Sequence, residues 1–190
     1  MALIDRVKNI LLTPRTEWPV IAGETATVQS LFMGYILILA AIGPLALALR
    51  TGIFGIGLGL AVVSYVVGVA MVYVMAWIID ALAPTFGGEK NFVQSLKLIA
   101  YSYTAAWVAG IFHLLPLIGG ILAFAAAIYS FYTLYLGIAV MKKCPQEKAV
   151  VYTIVVVLCG IVVGIVLFNV LFALILGGSM VGTMGMGMGG

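Results

Sequence analysis

An all-α, polytopic integral membrane protein is what the sequence predicts: five transmembrane helices behind an N-terminal amphipathic interfacial helix. Three observations predict it. Apolar residues make up 65% of the 190 residues and the mean hydropathy is +1.28, whereas soluble domains are roughly half apolar. Charged residues supply only 8%. Between 98 and 141 no Asp, Glu, Lys or Arg occurs. As helix, those roughly forty-four residues reach about 66 Å, twice the hydrocarbon thickness of a bilayer. That run must therefore cross twice.

The elements follow in order. Residues 1–29 form a cytoplasmic, interfacial segment. Within it Leu3, Ile4, Val7, Ile10 and Leu11 recur at three- and four-residue spacing, opposite Asp5, Arg6, Lys8 and Asn9. This describes a short amphipathic helix ended at Thr13-Pro14. Such a helix either packs on its own protein or lies on the bilayer surface; the expectation is the surface, with Trp18 at headgroup depth. The charges are interleaved with the apolar residues, which does not describe a signal peptide.

Residues 30–176 form the transmembrane domain. The first span covers about 31–49, closed by Arg50 and kinked at Pro44. The second covers 55–79 and is closed by Asp80. A polar loop follows, holding Pro84, Gly87, Gly88, Glu89, Lys90 and Lys97. Pro116, Gly119 and Gly120 divide the long uncharged run into a third span, 98–115, and a fourth, 117–141. The loop through Lys142, Lys143 and Lys148 leads to a fifth, 149–176. Residues 177–190, rich in Gly and Met, read as a disordered tail.

Orientation follows from the basic residues. With the N-terminus in the cytoplasm, the inner side holds Arg6, Lys8, Arg15, Lys90, Lys97, Lys142, Lys143 and Lys148, and the outer side holds Arg50 alone. The C-terminus then lies outside, in the periplasm. The net charge of +3 comes from few, scattered cations, which excludes a nucleic-acid surface. Cys144 and Cys159 read as free thiols, because Cys144 falls in a cytoplasmic loop and Cys159 in an apolar span.

No charged residue lies in the middle of a span, which weakens an ion-coupled carrier. Hydroxyls do gather toward the inner half. Tyr73 lies roughly 9 Å from the inner end of its helix. Tyr101 and Tyr103 begin the third span, Tyr132 and Tyr135 end the fourth, and Tyr152 begins the fifth. With Asp80 at the same level, these residues form either an aromatic belt with interhelical hydrogen bonds or a polar pocket open to the cytoplasm. Tyr129 sits about 18 Å deep, at a level that suggests packing. Lys142, Lys143 and Lys148 are candidate ligands for anionic lipid headgroups. His113 reads as an interfacial histidine in the outer hairpin, and Asn169 as bonded to a neighbouring backbone. No residue set points to catalysis, to a metal or to a cofactor. Gly55-x-x-x-Gly59, Ser64-x-x-x-Gly68 and Gly160-x-x-x-Gly164 permit close helix contacts, within the fold or between copies.

Two segments carry a family resemblance: "IDRVKNILLTPRTEWPVIAGE" at 4–24 and "YTLYLGIAVMKKCPQEKAVVYT" at 132–153. The latter is similar to the characteristic join between the fourth and fifth spans of the Yip (Ypt/Rab-interacting-protein) membrane-domain family. Over about 3–176 the chain resembles the bacterial branch of that family. The resemblance implies a multi-pass inner-membrane protein without catalytic residues. The eukaryotic members' N-terminal region, with its Asp-Leu-Tyr-Gly-Pro signature, is not in the sequence, so no binding to Rab-type GTPases is expected. Two functions remain. The first is a non-catalytic interaction or scaffold protein that binds other membrane proteins or lipids, as a homo-oligomer or alone. The alternative is an oligomeric channel or permease for a small solute, entered past Tyr129.

Overall fold

Helices account for all regular structure among the described residues of the computed structural model, which are 2–52, 56–115 and 117–187. The chain divides into two units, Met1–Val156 and Val157–Gly190. The second unit is the later part of the last helix.

Helix α1 (Leu3–Leu12) stops at Thr13, whose backbone leaves the helical region, and α2 (Pro14–Gly23) restarts at once. Proline suits that first position because its missing N–H would have no helical partner there. A reciprocal Thr27–Ser30 capping box starts α3 (Val28–Leu31), satisfying two backbone donors that the first turn otherwise leaves bare. The chain then widens to a π-helical stretch, Phe32–Ile36, continues as α4 (Leu37–Ala40), and breaks for one residue before α5 (Ile42–Thr51). Pro44 explains the break: it has no N–H to give the carbonyl four residues back.

Next come α6 (Ile56–Leu82) and a 3-10 turn, Ala83–Phe86. Asn91 caps α7 (Phe92–Ser102) through its side chain. After Tyr103 the chain forms α8 (Thr104–Ala109) and a 3-10 stretch, Gly110–Leu114. Helices α9 (Ile118–Lys142) and α10 (Gln146–Gly187) complete the chain. Lys143, at φ +50°, ends α9 in the left-handed region.

Four helical stretches are long and apolar enough to cross a bilayer: Val28–Thr51, Gly57–Phe86, Ile118–Lys142 and Gln146–Leu167. The expected third span, 98–115, is not among them. It is interrupted at Tyr103, where the Thr104 hydroxyl donates to the Tyr101 carbonyl at 2.7 Å, a local bond that competes with the helical ladder. Pro116, expected to divide the third and fourth spans, lies outside the described residues.

Three further placements differ from the sequence reading. Asp80 lies inside α6 rather than at its end. Lys97 is a buried residue of α7 rather than part of a loop. Helix α10 carries on to Gly187, through residues read as a disordered tail. Gly and Met both complete the backbone ladder, although each interior Gly costs about 1 kcal/mol relative to Ala. Residues 188–190 of that tail lie outside the described residues.

The core of the first unit is concentrated where α2 packs on α9, α1 on α7, and α7 on both α6 and α9. Trp18 and Ile21 of α2, Ile79 of α6, Leu96, Leu98 and Ile99 of α7, and Ile138 of α9 are all fully buried. Trp18, expected at headgroup depth, is fully buried by neighbouring helices. Its indole N–H donates to the Thr133 carbonyl at 3.1 Å. A Cβ built on Gly137 would stand 2.5 Å from the Trp18 ring and 2.7 Å from Leu98 Cδ1. Only glycine admits the ring at that point of α9.

Gly137→Ala is expected to lower the unfolding free energy in mild detergent by about 1–3 kcal/mol through overpacking. Trp18→Ala should cost about 3–5 kcal/mol by leaving a cavity. Chemical denaturation of both variants checks this, and an unchanged midpoint for Gly137→Ala would contradict the close approach.

Candidate functional site

The polar residues read as either an aromatic belt or a polar pocket separate into two charged clusters and several tyrosines that stand apart. The first cluster joins α6, α7 and α9. Lys142 Nζ donates to Asp80 Oδ1 at 2.9 Å, to Ser95 Oγ at 2.8 Å and to the Asn91 carbonyl at 3.2 Å. All three ammonium protons are thus used. Asp80 Oδ1 also accepts from the Asn91 N–H at 2.7 Å. Lys142 is fully buried, so it is corrected from a headgroup ligand to a structural cation.

Around this cluster the turn after α6 is fastened to the end of α9. The Glu89 N–H donates to the Lys142 carbonyl at 2.8 Å. Gly88 permits that approach, since a Cβ there would lie 2.9 Å from the same oxygen. Tyr152 is fully buried, stacks on Phe86 at 4.6 Å, and donates to the Ile79 carbonyl. Cys144 is also buried, and burial pushes its thiol above the usual range. Lys143 and Lys148 remain exposed, with Lys143 paired to Glu89 at 2.8 Å.

The second cluster ties the N-terminal helices to α7. Arg6 is buried and ion-pairs with both Glu17 and Glu24. Its guanidinium lies 5.6 Å over the Tyr101 ring, a cation–π arrangement. Tyr101 meets Tyr35 edge-on at 4.6 Å, and the Tyr35 hydroxyl shares a 2.7 Å hydrogen bond with Thr104. Lys97 Nζ donates to the carbonyls of Ile21 and Glu24. These belong to the end of α2, where carbonyls lack helical partners and a cation is favoured.

A cavity of about 610 Å³ opens beside this cluster, with Arg6, Glu24, Ser30, Tyr35 and Tyr101 on its wall. Of the tyrosines singled out by sequence, Tyr101 alone is on that wall. Tyr73 is exposed and packs between Phe32 and Phe92. Tyr103 meets the edge of Trp107 at 6.1 Å. Tyr132 accepts from Arg15 Nε at 3.3 Å, and Tyr135 is half-buried on α9. Tyr129 donates to the Leu11 carbonyl at 2.7 Å and so packs against α1. His113 donates through its Nδ1–H to the Gly110 carbonyl at 2.7 Å, and its own carbonyl accepts from Arg50 at 3.3 Å. Asn169 bonds within its own helix, to the Ile165 carbonyl.

Arg6, Glu17, Glu24, Lys97, Tyr35 and Thr104 are the site residues that the sequence reading missed. One signal was present: Glu17 and Glu24 are seven apart, two helical turns, on the same side as Trp18 and Ile21. Their joint partner, Arg6, lies in another helix and has no local signature. Chemically, two cations face two carboxylates here, so the cluster is balanced and suited to holding and orienting groups. Among the described residues no group of three His, Cys, Asp or Glu side chains is placed to hold a metal ion.

A family model described as the Yip1 domain matches residues 8–168, most of the chain. No curated protein and no solved structure matches it.

Removing one member of the Asp80–Lys142 pair should be worse than removing both. Asp80→Asn leaves a buried ammonium without its carboxylate and is expected to cost about 3–5 kcal/mol. The double variant Asp80→Asn/Lys142→Met should recover at least half of that loss. Urea unfolding of the three proteins tests this, and additive losses would refute the pairing as the stabilising contact.

Proposed function

The chain belongs to the Yip1-domain family, and from that premise we propose that it is a non-catalytic inner-membrane interaction protein of the family's bacterial branch. In this reading it holds partner membrane proteins or lipids, with its N-terminus in the cytoplasm and its C-terminus outside. The chain crosses the bilayer five times, the third crossing being the broken segment from α7 through Leu114. That segment is long enough, since about twenty-three residues of helix span roughly 34 Å.

The observation that carries this reading is the uncovered half of α9. Leu117, Ile121, Phe124, Ile128 and Phe131 are all exposed, Leu117 at 89%. Their four-three-four-three spacing is that of a seam that takes a facing helix. On the other half of the same helix, Ser130, Thr133, Leu134, Gly137, Ile138 and Met141 are buried by the fold. Lipid covers such a face without cost, and a partner helix gains from packing into it.

Two features support attachment to the lipid surface. Helix α1 buries Arg6 and Ile10 while leaving Ile4 and Leu12 exposed, at 77% and 69%. Its free apolar edge suits the bilayer interface while its other side is clamped to the bundle. Lys143 and Lys148 are the exposed basic pair for anionic headgroups.

Native mass spectrometry from membrane-derived nanodiscs is expected to show a stoichiometric protein partner or a second copy. Phe124→Ala/Ile128→Ala should lose that adduct without unfolding. Retention of the adduct by the variant would place the contact elsewhere, and a bare monomer would remove the reading. Lys143→Gln and Lys148→Gln should each weaken retention of anionic lipid roughly fivefold, at about 1 kcal/mol per cation. Unchanged retention in the double variant would end the headgroup role.

A further inference from the structure

Another cavity, of about 260 Å³, lies beyond the first along the same seam between the first span and α8, with Gly43, Pro44, Gly68, Trp107 and His113 on its wall. The residues lining the two cavities run in order along both elements. On the first span they pass from Ser30 and Gly34 to Gly43 and Pro44, and on the other side from Tyr101 to Trp107 and His113. Tyr35 lines the first cavity and Trp107 the second, and their ring centroids are 6.4 Å apart. Tyr35 is fixed there by its 2.7 Å hydrogen bond to Thr104, and both residues are buried. This small cluster joins the wall of one cavity to the wall of the other.

The backbone on both sides of the cluster is irregular. Tyr35 sits in the π-helical stretch Phe32–Ile36, and Thr104 directly follows the break at Tyr103. A π turn inside an α-helix commonly marks a functional position. Within membranes, broken helices are tolerated where they are packed by protein or line a cavity. Here both irregular stretches flank the same two cavities.

We propose that the two cavities are the halves of one conduit for a small, uncharged, hydroxyl-bearing solute, closed in this structure by the Tyr35–Thr104–Trp107 cluster. The lining selects that chemistry. Between the Arg6–Glu24 ion pair at one mouth and His113 near the other, the walls carry hydroxyls, an indole and apolar groups but no charged side chain. An ion would lose its hydration there with nothing to replace it. A polyol exchanges water for the tyrosine and threonine hydroxyls. Opening requires the Tyr35 ring to leave Thr104 and Trp107, a movement that a shift between π and α register in Phe32–Ile36 accommodates. This activity does not depend on the partner binding proposed above.

The test is glycerol flux through proteoliposomes of the full chain, followed by light scattering after an osmotic step. Trp107→Ala, which removes one wall of the closure, is expected to raise the glycerol rate at least tenfold over the unmodified protein without admitting sodium. Gly34 lines the first cavity and Gly68 the second, and a Cβ on either meets nothing within 4 Å, so Gly34→Leu and Gly68→Leu are the substitutions that narrow one cavity each. Either should return Trp107→Ala to the unmodified rate. A folded Trp107→Ala that conducts no faster overturns the conduit. So does a rise matched by sodium, or one that neither filling substitution lowers. If Trp107→Ala cannot be recovered folded, Thr104→Val takes its place. That near-isosteric change frees the Tyr35 hydroxyl, must itself raise the glycerol rate, and overturns the proposal if it does not.

Discussion

The contact of Trp18 with Gly137 holds the N-terminal helices in the bundle, and most other features depend on it. Because α9 has no side chain at 137, the indole reaches the Thr133 carbonyl and fills the space above Leu98. With α2 seated there, Glu17 and Glu24 are brought to Arg6, and the last carbonyls of α2 come within reach of Lys97. The 610 Å³ cavity is bounded by the same arrangement, since its wall combines α1, the end of α2, the start of the first span and α7.

Charge neutralisation is the other organising constraint. Buried ions are costly, and their mutual attraction offsets that cost only when hydrogen bonds satisfy the remaining valences. Both clusters meet the condition. Lys142 uses all three protons, and Lys97 donates to the carbonyls of Ile21 and Glu24. The pairs are therefore better understood as devices that fix which helix ends meet than as large sources of stability. Arg6 with its two carboxylates fixes the α1–α2 hairpin, and Lys142 with Asp80 fixes the turn between α6 and α7 against the end of α9. That division leaves Lys143, paired at the surface with Glu89, and Lys148 exposed.

The irregular backbone lies beside the two cavities. Pro44, on the wall of the second, and the Thr104 hydroxyl, bonded to Tyr35 on the wall of the first, each disturb a helical ladder. Regular helices, by contrast, present the broad apolar faces of α9 and α10. One molecule thus offers two kinds of surface: a long uncovered face suited to lipid or a partner helix, and an internal seam with a few hydroxyls.

Several features were readable from residue order alone, because they depend on local composition. The membrane class follows from apolar runs, and Yip-family membership was legible as a resemblance carried by the segments 4–24 and 132–153. That residues 3–12 are helical was also readable locally. Other features required the folded chain. That Trp18 is buried, that Lys142 is sealed against Asp80, and that Arg6 sits between Glu17 and Glu24 depend on residues up to 115 positions apart. No local pattern records such distances. The hydroxyl-rich stretches allowed either an aromatic belt or a polar pocket, and helix rotation sent Tyr152 into the core, left Tyr73 on the surface and placed Tyr101, alone among the tyrosines singled out, at the cavity. A sequence counts how many polar groups an apolar chain carries; only the tertiary structure decides which of them neutralise each other and which line a space, because that choice is made by the rotation and contact of distant helices.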